Sequence, residues 1–182
     1  MKHFIIITNR PKDPDLEITR RVQELLKLRQ ASCSVYADEI PKEEWKRILL
    51  REGDRTDAIL VLGGDGTMLR AARDTADSQI PMLGINLGTL GYLTEVEKNG
   101  MEDAIDRLVA GSYQVEDRMM LCGQIYRQGR MEEENSALND ITITRCGHLR
   151  MLYFQIYVNG KLLKEYHADG IIIATPTGST GY

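Results

Sequence analysis

The stretch AILVLGGDGT, residues 58–67, decides how this chain folds. Its first five residues are all apolar, which is typical of a strand covered on both faces of a parallel sheet. The glycines that follow remove side chains from a turn, and residues 66–76 have the apolar spacing of a helix. A strand that runs through a glycine-rich turn into a helix is one unit of an alternating α/β fold.

The same alternation extends outward from this stretch in both directions. It predicts strands at residues 4–8, 33–36, 58–62 and 81–85, and helices at residues 15–28, 41–50, 66–76 and 101–109. Gly111 is a plausible stop for the last helix. Strands and helices at this spacing favour a parallel, Rossmann-like sheet with helices on both faces.

The pattern changes near residue 112. Beyond it the sequence predicts strands at residues 118–126, 139–144, 151–158 and 170–174, and Asn159-Gly160 is a strong two-residue hairpin signal. The acidic run Glu132-Glu133-Glu134 is interpreted as a solvated loop tip. The fold class is therefore an α/β domain, residues 1–112, followed by the start of an all-β antiparallel domain, residues 113–182.

Composition excludes several classes of protein. The net charge is −4 and no Lys/Arg run exceeds two residues, so no nucleic-acid partner is expected. Apolar runs are far shorter than the about 20 residues of a membrane span, and no signal pattern opens the chain. Cys33, Cys122 and Cys146 form no CxxC, and the histidines have no metal-ligand spacing. We expect a cytoplasmic protein that keeps its thiols reduced, without a membrane partner.

Asp65 is the first candidate for chemistry, since it lies in the turn between the buried strand and its helix. Backbone N–H groups of Gly63, Gly64 and Gly66 can approach an anion there, and the helix dipole favours negative charge. An acid would repel a phosphate but suits a hydroxyl or a cation. The alternative is a tight turn with Asp65 as the helix N-cap. The turn matches neither the Walker A nor the GxGxxG pattern.

A second glycine-rich loop, residues 84–92, follows the next strand. Gly84, Gly88 and Gly91 indicate close approach of the backbone or positive φ. Tyr92 can stack on a flat ring. The alternative is a glycine-rich connection in which Tyr92 fills a domain seam.

Two further polar segments lie in the second half of the chain. Asn139-Asp140 can hydrogen-bond a purine edge or ribose hydroxyls, or is a turn-forming pair before a strand. Residues 168–182, ADGIIIATPTGSTGY, run from a buried strand into a stretch that offers hydroxyls and amides to a polar ligand. A flexible linker is the alternative for that last stretch.

In combination these four segments resemble the NAD kinase family. GGDGT alone is shared with diacylglycerol and sphingosine kinases and, more loosely, with phosphofructokinases, whereas ATPTGST is far more specific to NAD kinases. The resemblance covers essentially the whole chain. Three mild departures from the family pattern are Asp140 in place of the commoner Glu, Ala168 in place of Gly, and Gly181 in place of Ala.

The resemblance implies phosphorylation of NAD at the 2′-hydroxyl of the adenosine ribose, with ATP or polyphosphate as donor and Mg²⁺ or another divalent metal beside it. No dedicated protein metal site is expected. Asp65 would be the general base. The other site residues it implies bind NAD or ATP: Gly63, Gly64, Gly66, Thr67, Tyr92, Asn139, Asp140, Asp169, Thr180 and Tyr182. It also implies a homo-oligomer for the complete protein.

Family members run on beyond the length of this chain, so the resemblance also predicts that the chain is a fragment and inactive alone. Two other functions stay open at this point. One is a GGDGT-type lipid kinase acting on diacylglycerol, and the other is a non-catalytic NAD-binding fragment. An unstable fragment without activity is the least specific alternative.

Overall fold

The computed structural model describes residues 2–89, 91–147 and 150–181 of the chain. The chain consists of two compact units, Met1–Asp117 and Arg118–Tyr182. No helix in the described part of the chain combines the length and hydrophobicity needed to cross a bilayer.

The first unit alternates strands and helices. Its strands are β1 (His3–Thr8), β2 (Ser32–Tyr36), β3 (Ala58–Gly63), β4 (Met82–Asn86) and β5 (Val96–Glu97). Its α-helices are α1 (Glu17–Leu28), α2 (Lys42–Glu52), α3 (Asp65–Thr75) and α4 (Met101–Ala110). All the strands and helices predicted for this half are confirmed. The two-residue β5 was missed, because a strand that short shows no periodicity.

The strands form one parallel sheet in the order β2-β1-β3-β4-β5. β1 is hydrogen-bonded to β2 on one side and β3 on the other, with Ile5 opposite both Ser34 and Ile59. The order therefore changes direction between β1 and β3. In doubly wound sheets a crevice opens at such a switch point, outside the carboxyl ends of the strands, and ligands bind there.

Helices cover both faces of the sheet, as predicted. On one face, Phe4, Ile6 and Leu60 pack with apolar residues of α1 and α4. On the other face, Ile5 and Ile59 pack with residues of α2 and α3. Adjacent residues of β1 and β3 are thus buried on opposite faces, which explains why both strands are continuously apolar.

α4 ends at Ala110, and Gly111 is its C-cap, as the sequence predicts. Gly111 has φ +74°, a left-handed conformation that glycine adopts without a steric penalty. Its N–H donates to the carbonyl of Leu108.

The second unit is antiparallel, as expected. Its strands are β6 (Leu121–Arg127), β7 (Arg130–Ala137), β8 (Asp140–Thr144), β9 (Leu152–Val158), β10 (Lys161–Ala168) and β11 (Gly170–Ala174). They pair as β6 with β7, β8 with β11, and β9 with β10. Asn159 and Gly160, with φ of +50° and +77°, form the predicted hairpin turn between β9 and β10.

The acidic run is not a loop tip, so that interpretation was wrong. Glu132, Glu133 and Glu134 lie within β7, and Glu133 pairs with Ile125 of β6. All three side chains are exposed, and Glu132 accepts a hydrogen bond from Arg127 at 3.1 Å. Three acids in a row are tolerated in a strand because water reaches their side chains.

Glu52, at the end of α2, makes the first unit sensitive to acid. The residue is only 4% exposed, and Tyr36 Oη and Arg51 Nη2 donate to its Oε1 at 3.1 and 2.8 Å. Burial raises the pKa of this carboxyl, but its polar interactions with Ser34, Arg51 and Tyr36 outweigh burial and lower the pKa to about 2. A depressed pKa stabilises the fold above the unfolded-state value, and this contribution is lost as the pH falls.

We therefore expect the free energy of unfolding to fall as the pH drops from 4.5 to about 2. Glu52→Gln should be less stable than the wild type at neutral pH, and the difference should shrink across this interval. Urea unfolding at a series of pH values measures it. Glu43→Gln, an exposed position of the same helix, is the control and should show no such convergence. A constant difference between Glu52→Gln and the wild type down to pH 2 would contradict the prediction.

Candidate functional site

The GGDGT turn lies at the carboxyl end of β3, beside the switch point. Gly63 ends β3, and a Cβ there would lie 2.4 Å from Thr67 Oγ1, so only glycine lets Thr67 pack against the strand. Thr67 is buried and accepts a hydrogen bond from Asn9 Nδ2 at 2.9 Å. Gly63 and Thr67 therefore shape the turn from inside. Gly66 lies outside and is exposed, and no atom of the described residues is within 4 Å of where its Cβ would be.

Asp65 joins this turn to the second glycine-rich loop. Its Oδ2 accepts the backbone N–H of Tyr92 at 2.7 Å and its Oδ1 accepts that of Leu93 at 3.0 Å. The N-cap of α3 is Gly64, and Asp65 is the first helical residue. The alternative in which Asp65 caps its own helix is therefore wrong, because its carboxylate is bound to another loop.

The glycine-rich segment 84–92 begins inside β4, which runs to Asn86, and the loop proper follows it. Gly84 in the strand and Gly91 in the loop are both needed for close packing. A Cβ on Gly91 would lie 2.0 Å from Asp65 Oδ1, and one on Gly84 would lie 3.0 Å from Thr94 Cγ2. The Asn86 side chain folds the loop further, accepting from the N–H of Gly88 at 2.8 Å. The ring of Tyr92 is 68% exposed. Its predicted stacking on an adenine stays a prediction.

In the second unit, the Asn139-Asp140 pair and the ATPTGST segment pack together. The Thr175 N–H donates to the Asn139 carbonyl at 2.8 Å, and a Cβ on Gly178 would lie 2.3 Å from that same oxygen. Asp140 Oδ1 accepts from Thr142 Oγ1 at 3.1 Å. The segment is thus fixed against the pair, and the flexible-linker alternative is wrong. Asn139 Oδ1 is buried without a hydrogen-bond partner among the described residues, so it can accept from a ligand.

Thr175 fixes this arrangement. The side chain is 1% exposed; its hydroxyl donates to the Leu138 carbonyl at 2.6 Å and accepts from the Gly178 N–H at 3.2 Å. Thr175→Val keeps the shape and removes both bonds, so we expect the protein to lose about 1–3 kcal/mol of stability. Urea unfolding of the full-length protein measures the loss. Thr144→Val, at an exposed position of β8, is the matched control, and an equal effect in both variants would contradict the prediction.

The remaining predicted site residues of this unit lie elsewhere. Asp169 Oδ1 is 2.9 Å from Arg145 Nε, and both residues line an open depression of roughly 530 Å³. Thr180 is exposed in the short helical turn Ser179–Gly181. Tyr182 lies outside the described residues. The roles assigned to all of these residues stay predictions.

Sequence reasoning missed two residues that the fold brings to the GGDGT turn. Asn9 and Lys12 follow β1, and neither was predicted as a site residue. The Asn9 N–H donates to the Leu62 carbonyl at 2.8 Å. Lys12 Nζ lies 2.9 Å from the position a Cβ would take on Gly64 and 3.2 Å from that on Gly88. The one available signal was their place directly after a strand of a parallel sheet.

No three His, Cys, Asp or Glu side chains lie close enough to hold a metal ion within residues 2–89, 91–147 and 150–181. Asp65, the acid within the GGDGT turn, already accepts two backbone N–H groups. The described side chains therefore do not form a cage of the oxygen ligands that Mg²⁺ prefers.

A doubly wound parallel sheet with glycine-rich turns at its switch point is an architecture of nucleotide-binding α/β proteins. Residues 4–113 match the ATP-NAD kinase N-terminal domain, and residues 138–182 match the ATP-NAD kinase C-terminal domain. The chain belongs to the NAD kinase family.

Known proteins of this family align along the whole chain. This chain is 46% identical over 183 residues to an NAD kinase of Agathobacter rectalis, and the match covers 100% of this chain and 64% of that protein. It is 40% identical over 191 residues to an NAD kinase of Lachnospira eligens, covering 100% of this chain and 63% of that protein. The chain thus spans less than two thirds of the length of these curated relatives.

The fold is also that of a solved structure. A yeast NADH kinase, crystallised in complex with NADH, superposes with a TM-score of 0.78 at 22% sequence identity. The match covers 100% of this chain and 60% of that one. At this identity the likeness concerns the fold, and it agrees with the predicted two-domain architecture.

Proposed function

We propose that the full-length protein transfers the γ-phosphoryl group of ATP to the 2′-hydroxyl of the adenosine ribose of NAD, giving NADP and ADP. The observation that carries the proposal is Asp65, a carboxylate held at the switch-point edge of the sheet by two backbone N–H groups. Family membership supplies the substrates. Residues 1–112 would carry the phosphate-binding turn, and residues 113–182 would contribute to the NAD site.

Asp65 would act as the general base. The bond between the γ-phosphorus and the β–γ bridging oxygen breaks, a bond forms between that phosphorus and the ribose 2′-oxygen, and the hydroxyl proton passes to the carboxylate. Each carboxylate oxygen has two lone-pair sites, so one that accepts a backbone N–H can still accept from a hydroxyl. Positioning and charge neutralisation do most of the work in phosphoryl transfer.

The other predicted residues would hold the two substrates. Asn139 offers a buried acceptor that has no partner among the described residues, and Asp140 a carboxylate beside it, for the adenine and ribose of NAD. The exposed ring of Tyr92 suits stacking on a base. A divalent metal, which family membership implies, would be carried mainly by the donor's phosphates, since the described side chains form no cage for it. Cytoplasmic location and a homo-oligomeric state belong to this proposal through the family resemblance.

The experiment is NADP formation from NAD, with ATP and Mg²⁺, by the full-length protein and by residues 1–182 alone. Parallel reactions replace ATP by polyphosphate and NAD by diacylglycerol. NADP formation by the full-length protein supports the proposal. A phosphorylated product from diacylglycerol and none from NAD would overturn it in favour of a lipid kinase. Binding of NAD without turnover under any metal would leave a binding module.

A further inference from the structure

Lys12 lies across the two glycine-rich turns of the first unit. Its Nζ is near enough to Gly64 and Gly88 that a Cβ on either residue would meet the ammonium, at 2.9 and 3.2 Å. Gly64 follows β3 and Gly88 follows β4, whereas Lys12 follows β1. The sheet order places β1 beside β3, so the lysine lies at the switch point itself.

The backbone that carries Lys12 is fixed to the GGDGT turn. Asn9 lies three residues before Lys12, and its backbone N–H donates to the Leu62 carbonyl. The side-chain Nδ2 of Asn9 donates to Thr67 Oγ1 at 2.9 Å. The Lys12 N–H in turn donates to the Asn9 carbonyl at 2.9 Å. Asn9 Oδ1 is buried and has no hydrogen-bond partner in the described part of the chain. A short segment, fixed by these hydrogen bonds, therefore positions Lys12 beside the GGDGT turn.

The ammonium of Lys12 has no counter-ion among the residues that the structure describes. Neighbouring charges on the same segment are engaged elsewhere: Arg10 lies 3.7 Å from Asp38, and the buried Asp13 accepts from Thr19 Oγ1 at 2.7 Å. The side chain of Lys12 is exposed. An exposed cation poised over two glycines, beside the first N–H groups of an 11-residue helix, is suited to an anion.

We propose that Lys12 binds a phosphate group of the nucleotide that enters the crevice between β1 and β3, an inference that rests on the proposed function. Phosphate is the shared chemistry of ATP, polyphosphate and NAD. The absence of a side chain at 64 and 88 lets the ammonium approach both turns, since a Cβ on either residue would meet it. Lys12 supplies the positive charge that the acidic GGDGT turn lacks. It is a substrate-binding residue and takes no part in proton transfer.

The test measures binding to the full-length wild type, Lys12→Met, Lys12→Arg and Lys27→Met by calorimetry. Lys27 is an exposed lysine of α1, so Lys27→Met removes the same charge away from the turn. The probes are inorganic tripolyphosphate, ATP with Mg²⁺, and NAD. Lys12→Met should weaken at least one probe by about 10-fold or more, the size of one charge-assisted hydrogen bond. Lys12→Arg should recover part of the loss, and Lys27→Met should bind as the wild type does.

The pattern of losses identifies the source of the phosphate. Weaker ATP and tripolyphosphate binding with unchanged NAD binding places Lys12 on the donor, and the reverse places it on the diphosphate of NAD. If Lys12→Met binds all three probes within twofold of the wild type, the proposal is overturned. It is also overturned if the wild type binds none of them. Thermal melts should match those of Lys27→Met, because Lys12 has no partner to lose within the described residues. If the full-length protein forms no NADP, the proposed function is wrong, but the proposal for Lys12 is still tested, since tripolyphosphate binding does not depend on turnover.

Discussion

Asparagine in place of Asp65 is expected to lower NADP formation by the full-length protein by at least about 100-fold, the lower end of what general-base catalysis contributes. NAD binding should stay within a few-fold of the wild type, because the change removes a charge and no volume. Steady-state kinetics with separate titrations of ATP and NAD measure both effects. The loss should therefore fall on kcat rather than on KM for NAD.

The structure adds a second consequence to this variant. Both oxygens of Asp65 accept backbone N–H groups, from Tyr92 at 2.7 Å and from Leu93 at 3.0 Å. An asparagine has one acceptor oxygen, so its NH₂ group would face one of these two N–H donors. One of the two hydrogen bonds to the second loop would therefore be lost. Asp77 is an exposed acid just after α3, the helix that Asp65 begins, so Asp77→Asn is the control for a change of net charge. Near-normal turnover of Asp65→Asn would remove Asp65 from the base role.

Alanine in place of Gly91 should damage the site while keeping the acid. The added Cβ would lie 2.0 Å from Asp65 Oδ1 and 2.4 Å from its Cγ, so either the loop or the carboxylate must move. We expect a loss of about 1–3 kcal/mol of stability from overpacking. We also expect turnover to fall by about 100-fold, as displacement of a reacting group by about 1 Å does.

Urea unfolding and NADP formation by the full-length protein measure these two losses. Gly53→Ala is the matched control, because the nearest described atom to its Cβ would be Ile80 Cδ1, at an ordinary 4.0 Å. That control should change stability by less than about 1 kcal/mol and leave turnover intact. If Gly91→Ala keeps both its stability and its turnover, the contact between Asp65 and the second loop has no role.

The two variants together separate two roles of one carboxylate. The base is lost in Asp65→Asn, whereas in Gly91→Ala it is only misplaced. Higher pH or saturating substrate should therefore not restore the turnover of Asp65→Asn. If Asp65 serves only to fix the second loop, both variants should fail alike, through KM for the substrates rather than through kcat. This distinction could not be drawn from the sequence, in which residues 65 and 91 lie in separate motifs.

Much of the fold was readable from local patterns. The apolar runs at residues 4–8 and 58–62 predicted buried parallel strands, and Gly111 and Asn159-Gly160 predicted a helix end and a hairpin. These features depend on residues close together in the chain, where backbone preference and periodicity act directly. The acidic run in β7 was mispredicted for the complementary reason. Its strand state comes from pairing with β6, which overrides a composition that suggests a loop.

The site divides along the same line. By itself the sequence determined the α/β alternation, the family resemblance and the motifs, because each is written in contiguous residues. Only the tertiary structure decided that Asp65 binds the loop at Tyr92 and Leu93, and that Lys12 lies over Gly64 and Gly88. Both contacts depend on strand order, since β1 is beside β3 and β3 is beside β4. Strand order is set by how the helices cover the two faces of the sheet, a property of the whole unit that no single segment encodes.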